Sequence, residues 1–178
     1  MSNILVLTCP AGKQYSHLLP LLAEFRLRLA ALSAASVEKL EATYPFAEVV
    51  QADVTDPKTC QQLLKGATAV YHVGPSFHPR EKEMGLNMVD AAAVETQRPG
   101  SVFQHLVFSS VLNTQHRQLM QHDLKSYIEE RLMISPLSWT ILEPTTSWTY
   151  TQSRCWQAQM SLPWRDVGLQ KSRTALLL

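Results

Sequence analysis

Asn3-Ile4-Leu5-Val6-Leu7-Thr8-Cys9-Pro10-Ala11-Gly12-Lys13-Gln14-Tyr15 is the stretch on which the reading of this chain turns. The short apolar run Ile4 to Thr8 stops at a turn. An apolar segment of helical length follows, from about Gln14 to Leu29. Strand, turn and helix in that order open a βαβ nucleotide-binding unit, whose turn normally carries G-x-x-G-x-x-G. Gly12 holds the middle glycine position, while Cys9 and Tyr15 occupy the outer two. The turn is therefore placed to receive a pyrophosphate on the N–H groups of Ala11 to Gln14 at a helix N-terminus. Tyr15, however, is expected to crowd the close packing of helix on strand that the third glycine allows.

Outward from this turn, strand-like and helix-like segments alternate. Arg26 to Leu32, Ala47 to Gln51, Ala67 to Val73, His105 to Ser109 and Trp139 to Leu142 read as five further strands. Ser36 to Thr43 reads as a short helix with Ser36 at its N-cap. Asp56-Pro57 starts another that Gly66 ends, with Asp as cap and Pro at the first position. Glu81 to Thr96 and Arg117 to Met133 are longer helices. In the second of these, Leu119, Met120, Leu124, Tyr127, Ile128 and Leu132 recur at helical spacing, which predicts a core-facing stripe. Six strands alternating with helices predict an α/β fold: a doubly wound parallel sheet, Rossmann-like, of strand order 3-2-1-4-5-6. Residues 1–145 form that domain. Residues 146–178 show no clear period and no capped helix, and are expected to pack loosely as an irregular tail.

Composition narrows the class. The chain has 178 residues, a formal net charge of +1 and 17% charged residues, so a single globular domain is expected. Without a basic tract, nucleic-acid binding by charge is not expected. Cys9, Cys60 and Cys155 are isolated and share no metal-ligand spacing, which fits a reduced compartment and no metal site. The six histidines form no metal set either. No apolar run approaches membrane-spanning length and no signal peptide is visible, so a soluble cytoplasmic or nuclear protein is expected.

Taken in order, AGKQ, QADVTDP, VYHVGPSF, HLVFSSVLNT, HDLKSYIEE and WTILEPT resemble the NmrA-like family of atypical short-chain dehydrogenase/reductases, over roughly Asn3 to Thr145. The resemblance implies an NAD(P)-binding Rossmann domain, with NADP slightly preferred. It implies a role as an accessory oxidoreductase acting on a small-molecule substrate, as in fungal secondary-metabolite pathways, or as a redox-sensing regulator that binds a protein partner without turnover. An inactive remnant is the third expectation. The implied cofactor-binding residues are Cys9, Ala11, Gly12, Lys13 and Gln14 in the phosphate turn, Asp53 and Val54 beside adenine, and Gly74, Pro75 and Ser76 beside the nicotinamide-side ribose. Lys125 matches the lysine that pairs, in the wider superfamily, with a tyrosine four residues earlier; the resemblance implies it as a cofactor-binding residue at the nicotinamide-side ribose and as the one catalytic candidate.

Departures from the family pattern are equally informative. Gln121 stands where that tyrosine would be, and glutamine has no proton to give as a general acid. Leu32 stands where relatives often place an arginine for the 2′-phosphate of NADP. After Thr145 the family opens a substrate lobe with T-H-F-M-D or T-H-F-M-E; this chain continues T-S-W-T-Y. The substrate lobe is thus missing, and a shift of reading frame at Thr146 is the expectation attached to the tail. Simpler roles stand beside the implied ones. Lys125 and Glu129, four residues apart, also suit a solvated helix ion pair worth about 0.3–0.5 kcal/mol. Asp53 also suits a turn cap, and Cys9 either a reactive thiol or a small buried filler. Ser109-Ser110 lacks the G-x-S-x-G elbow of a nucleophile and suits hydrogen bonding.

Overall fold

The computed structural model describes residues 3–12, 15, 18–22, 25–75, 77–144 and 172–176. Strands β1 (Ile4–Thr8), β2 (Arg26–Ala31), β3 (Glu48–Gln51), β4 (Ala69–Val73), β5 (His105–Ser109) and β6 (Trp139–Pro144) form one sheet. Their order is β3-β2-β1-β4-β5-β6, and every pairing is parallel. The doubly wound sheet expected from the alternating segments is therefore present, in the expected order. A seventh strand, β7 (Ser172–Leu176), lies parallel to β6, with Thr140 opposite Ser172 and Pro144 opposite Leu176. This corrects the expectation that no regular element follows Thr145: five residues near the C-terminal end extend the sheet.

The faces of the sheet follow from the two-residue period of its strands. Ile4, Val6, Val70, Leu106, Phe108 and Ile141 point to one side. There they bury against α2 (Pro57–Leu64), α3 (Glu81–Gln97) and α4 (Met120–Met133). Leu7, Leu27, Leu29 and Tyr71 point to the other side, against Tyr15, a 3-10 turn at Leu19–Leu22, and Leu40 of α1 (Ala34–Thr43). Because β2 begins at Arg26, it claims the end of the apolar run that the sequence suggested could be helical as far as Leu29.

Caps decide where the helices start. Asp56 accepts hydrogen bonds from Lys58 N and Thr59 N and caps α2, with Pro57 first in the helix, as the sequence predicts. Gly66, at φ 72°, follows the end of α2 in the left-handed region that glycine adopts freely. The cap of α1 is Ser33, whose Oγ accepts from Ser36 N; Ser36, predicted as the cap, lies inside the helix.

The stripe predicted for α4 is only in part its core face: Ile128 and Leu132 are buried as expected. Leu119, Met120 and Tyr127 are exposed, and the buried face carries Lys125, Ser126, Ile128, Glu129 and Leu132. Helical spacing alone does not fix which arc of a helix turns inward. Here α3 decides, because Gly85 lets it approach α4 closely. A Cβ built on Gly85 would stand 2.2 Å from Ile128 Cδ1. Gly85→Ala is therefore expected to lower stability: overpacking of about 1–3 kcal/mol opposes a gain of about 1 kcal/mol in helix propensity. Repeating the change in an Ile128→Ala background removes the clash, so urea midpoints should show the cost of Gly85→Ala vanish or reverse there.

Candidate functional site

The carboxyl ends of β1 and β4 lie side by side, and the turn after β1 opens between them. Cys9 sits at φ 53°, a left-handed conformation that costs an L-residue about 1–2 kcal/mol and that glycine takes freely. Gly12 N donates to Cys9 O at 3.0 Å, and a Cβ on Gly12 would approach that oxygen to 3.2 Å. The turn thus keeps at position 9 the left-handed backbone that glycine adopts freely, even though its first glycine is replaced. Burial, with the nearby Glu81 carboxylate, pushes the Cys9 thiol up to about 11, while Lys125 opposes this. A protonated, half-buried thiol is the filler alternative for Cys9, not the reactive one. Of the other predicted turn residues, Ala11 is exposed beside Gly12, whereas Lys13 and Gln14 lie outside the described residues.

Tyr15 does not crowd the fold; it is absorbed into it. Its ring is fully buried and meets Tyr71 edge-on, with centroids 5.5 Å apart, and its hydroxyl donates to Tyr71 O at 3.1 Å. The phenol finds the partner that a buried hydroxyl requires. The aromatic pair fills the space between the segment after the turn and the sheet.

At the end of β3, Asp53 Oδ1 accepts from Thr55 N at 2.9 Å and from Thr55 Oγ1 at 2.7 Å. Those hydrogen bonds hold its carboxyl below the usual range. The turn-capping role is therefore real, and the carboxylate is exposed. Val54 packs on the core, and its carbonyl accepts from Asn87 Nδ2 at 3.3 Å, while Thr55 O accepts from the same amide at 2.9 Å. Asn87 of α3 thus staples the loop after β3, a role that sequence reading missed.

After β4, Gly74 is buried and Pro75 is partly exposed; Ser76 lies outside the described residues. Beneath Gly74 lies the most polar part of the interior. Lys125 Nζ stands 2.8 Å from Glu81 Oε1, with the two side chains 4% and 0% exposed. Lys125 Nζ also donates to Ser109 O at 3.0 Å. Neither Glu81 oxygen has a well-directed hydrogen bond, so the contact is Coulombic. Glu81 opens α3, where the helix dipole favours a carboxylate. A Cβ on Gly74 would stand 3.1 Å from Glu81 Oε1, so any larger residue there would press on the carboxylate by a few tenths of an ångström.

This overturns the solvated Lys125–Glu129 pair. Lys125 reaches Glu81 across the helix interface. Glu129 instead accepts hydrogen bonds from Ser110 Oγ and from Thr114 Oγ1, the latter at 3.0 Å. Ser110 is thereby a tether between the end of β5 and α4, in line with the hydrogen-bonding reading of Ser109-Ser110. Tyr127, expected in the core, lies at the surface between Lys82 Nζ and Arg117 Cζ, 4.5 and 4.4 Å from its ring centre. It stands away from the buried Lys125 face.

His72 completes the cluster, and sequence reading gave it no role. It is buried, stacked on Phe108 at 5.9 Å, and its Nδ1 lies 3.0 Å from Thr8 Oγ1. Its Nε2 has no hydrogen-bond partner among the described residues. Desolvation, then the nearby Lys125 charge, pushes its pKa down to about 3, so the ring is neutral at physiological pH. Among the described residues no group of metal-ligating side chains comes together, and no helix is long and apolar enough to cross a membrane.

Two predictions follow from this geometry. Cys9→Gly should change stability by less than about 1 kcal/mol, since relief of left-handed strain offsets the greater freedom of glycine in the unfolded chain. Tyr15→Gly should cost about 3–5 kcal/mol by emptying an aromatic site, and denaturant midpoints separate the two. For His72, the unfolded ring binds a proton near its ordinary value of 6.5 and the folded ring only near 3. Stability is therefore retained above pH 6.5 and falls as pH drops through that window, by about 2 kcal/mol at pH 5. His72→Gln should flatten this dependence; an unchanged slope would show that another group carries it.

Comparison with known proteins agrees with the fold. The chain matches the family model described as the NmrA-like family over residues 2–153. No curated protein sequence matches it. Among solved structures, the Citrobacter sp. triphenylmethane reductase complexed with NADP(H) is 14% identical, with a TM-score of 0.66, covering 80% of this chain and 49% of that one. The Escherichia coli NADPH-dependent quinone oxidoreductase complexed with NADPH is 18% identical, with a TM-score of 0.65, covering 78% and 48%. NmrA, a negative transcriptional regulator, is 18% identical, with a TM-score of 0.61, covering 80% and 46%. The chain spans about half the length of these structures. With the match extending over most of its residues, the chain belongs to the NmrA-like family.

Proposed function

We propose that this chain is an NAD(P)-binding member of the NmrA-like family that holds the dinucleotide without reducing a carbonyl substrate. The observation that carries the binding half is the turn after β1. Cys9 at φ 53° and the Gly12 N to Cys9 O bond keep a phosphate-turn shape at the carboxyl edge of the sheet, where doubly wound folds bind ligands. The exposed Asp53 and the neighbouring Val54 suit the adenosine side, and Gly74 and Pro75 the second ribose. That similar folds were solved with NADPH or NADP(H) supports the reading.

The chemistry of the site supports the non-catalytic half. Position 121 holds glutamine, which cannot serve as the acid. Lys125, which resemblance assigns to the ribose, is committed inside the protein to Glu81 and Ser109 O. A bound dinucleotide would supply hydride chemistry, and these residues do not supply the proton that carbonyl reduction needs. A sensing or accessory role fits such a site, and no residue described here selects between NAD and NADP.

Fluorescence titration of the full chain with NADH and NADPH tests this. Saturable binding is expected, weakened at least tenfold by Gly12→Trp, whose side chain would fill the turn. NADPH oxidation in the presence of quinones and carbonyl compounds should not exceed the protein-free rate. Absence of binding would falsify the dinucleotide reading. Turnover well above the blank would instead establish the accessory-reductase role.

A further inference from the structure

Glu81 is the buried group that neither the turn nor the family pattern explains. It is fully enclosed, and its two oxygens lack directed hydrogen bonds although Lys125 Nζ is 2.8 Å away. A carboxylate taken from water at such cost persists only where a fixed positive charge answers it. The answering charge is the side chain that, by resemblance, would hold the nicotinamide-side ribose. Three features keep the two together. Gly74 leaves room for the carboxylate, with a hypothetical Cβ 3.1 Å from Oε1. Gly85, one helical turn after Glu81, brings α3 against Ile128 of α4, three residues after Lys125. Ser109 O holds the same ammonium from the sheet side at 3.0 Å.

We propose that Glu81 sets the dinucleotide affinity of this chain by holding Lys125 beneath the floor of the site, off the second ribose. The inference rests on the dinucleotide reading above. In the closed pair the ammonium is directed at Glu81 and Ser109 O and is almost wholly shielded from solvent. Adenosine and pyrophosphate then supply nearly all the binding, and the ribose–nicotinamide half adds little. Glu81 is a positioning residue: it acts through Lys125. Removing its charge while keeping its shape frees an ammonium directly below Gly74, where it can donate to the vicinal hydroxyls of a ribose.

The test compares NADH with ADP, which keeps adenosine and pyrophosphate and lacks the second ribose and nicotinamide. Dissociation constants for both are measured by calorimetry on the full chain. In the wild type the two should agree within about threefold. In Glu81→Gln, NADH should gain at least tenfold over ADP, a range that charge-assisted hydrogen bonds to hydroxyls supply. In Glu81→Gln/Lys125→Gln the gain should disappear. A merely structural Glu81 would change both ligands together and leave their ratio unmoved, and that result overturns the proposal. So does a wild-type preference for NADH of tenfold or more that Lys125→Gln abolishes, since Lys125 would then already hold the ribose. If the buried ammonium prevents Glu81→Gln from folding, Glu81→Asp decides, because it keeps the charge on a side chain one methylene shorter that no longer reaches Lys125: a gain of NADH over ADP that Lys125→Gln removes supports the proposal, and an unmoved ratio refutes it. Failure of both ligands to bind any folded variant refutes the dinucleotide reading itself, a result distinct from binding with an unmoved ratio.

Discussion

The Glu81–Lys125 pair is the interaction around which the carboxyl edge of this sheet is arranged. Two opposite charges, 2.8 Å apart and shielded from water, must stay together, because losing either partner leaves a buried charge unanswered. Such a loss typically costs about 3–5 kcal/mol. Their separation constrains the rest. Glycine at 74 makes room for the carboxylate and glycine at 85 for the helix contact that aims it. His72, one residue from the end of β4, is kept neutral by burial and by the same ammonium. The thiol of Cys9 feels both charges. A site floor so composed favours a fixed geometry over a mobile lysine free to follow a ligand.

The phosphate turn shows a different economy of residues. Its first glycine position still demands a left-handed backbone, and Cys9 accepts that conformation with strain. Its third position, where glycine would allow close helix–strand contact, holds an aromatic ring that fills the gap instead and ties its hydroxyl to β4. The first substitution leaves the turn's shape intact, and the second is built into the core. Shape for an anion and stability of the domain are thereby separated into neighbouring residues. The similar structures include a reductase, an oxidoreductase and a regulator, and the matched part covers about half of each of those chains. What is shared with them is the fold, so the activity of a longer protein does not follow from this domain alone.

What the sequence determined by itself is the architecture. Alternating strand-length and helix-length segments, Asp56-Pro57 as a helix start and Gly66 after its end carry local signals. Their physics is complete within a few residues. Those signals were enough for the parallel order β3-β2-β1-β4-β5-β6. The tight turn from Cys9 to Gly12 was legible for the same reason, since a turn after a strand is a local backbone shape.

Only the tertiary structure decided what lies beneath the site. Lys125 and Glu129 satisfy a helix ion-pair spacing, yet Glu81, forty-four residues away in sequence, takes the lysine once α3 and α4 meet at Gly85. The apolar residues of α4 recur at helical spacing, yet Leu119, Met120 and Tyr127 face outward because the arc toward α3 carries the charges. Tyr15 reads as an obstruction until Tyr71 is seen beside it. Strand β7 had no capping or periodic signal, because pairing with β6 supplies its backbone hydrogen bonds. In each case the deciding partner is distant in the chain. Local propensity sets which segment becomes helix or strand, but the energy of a buried charge or ring depends on what long-range packing brings against it.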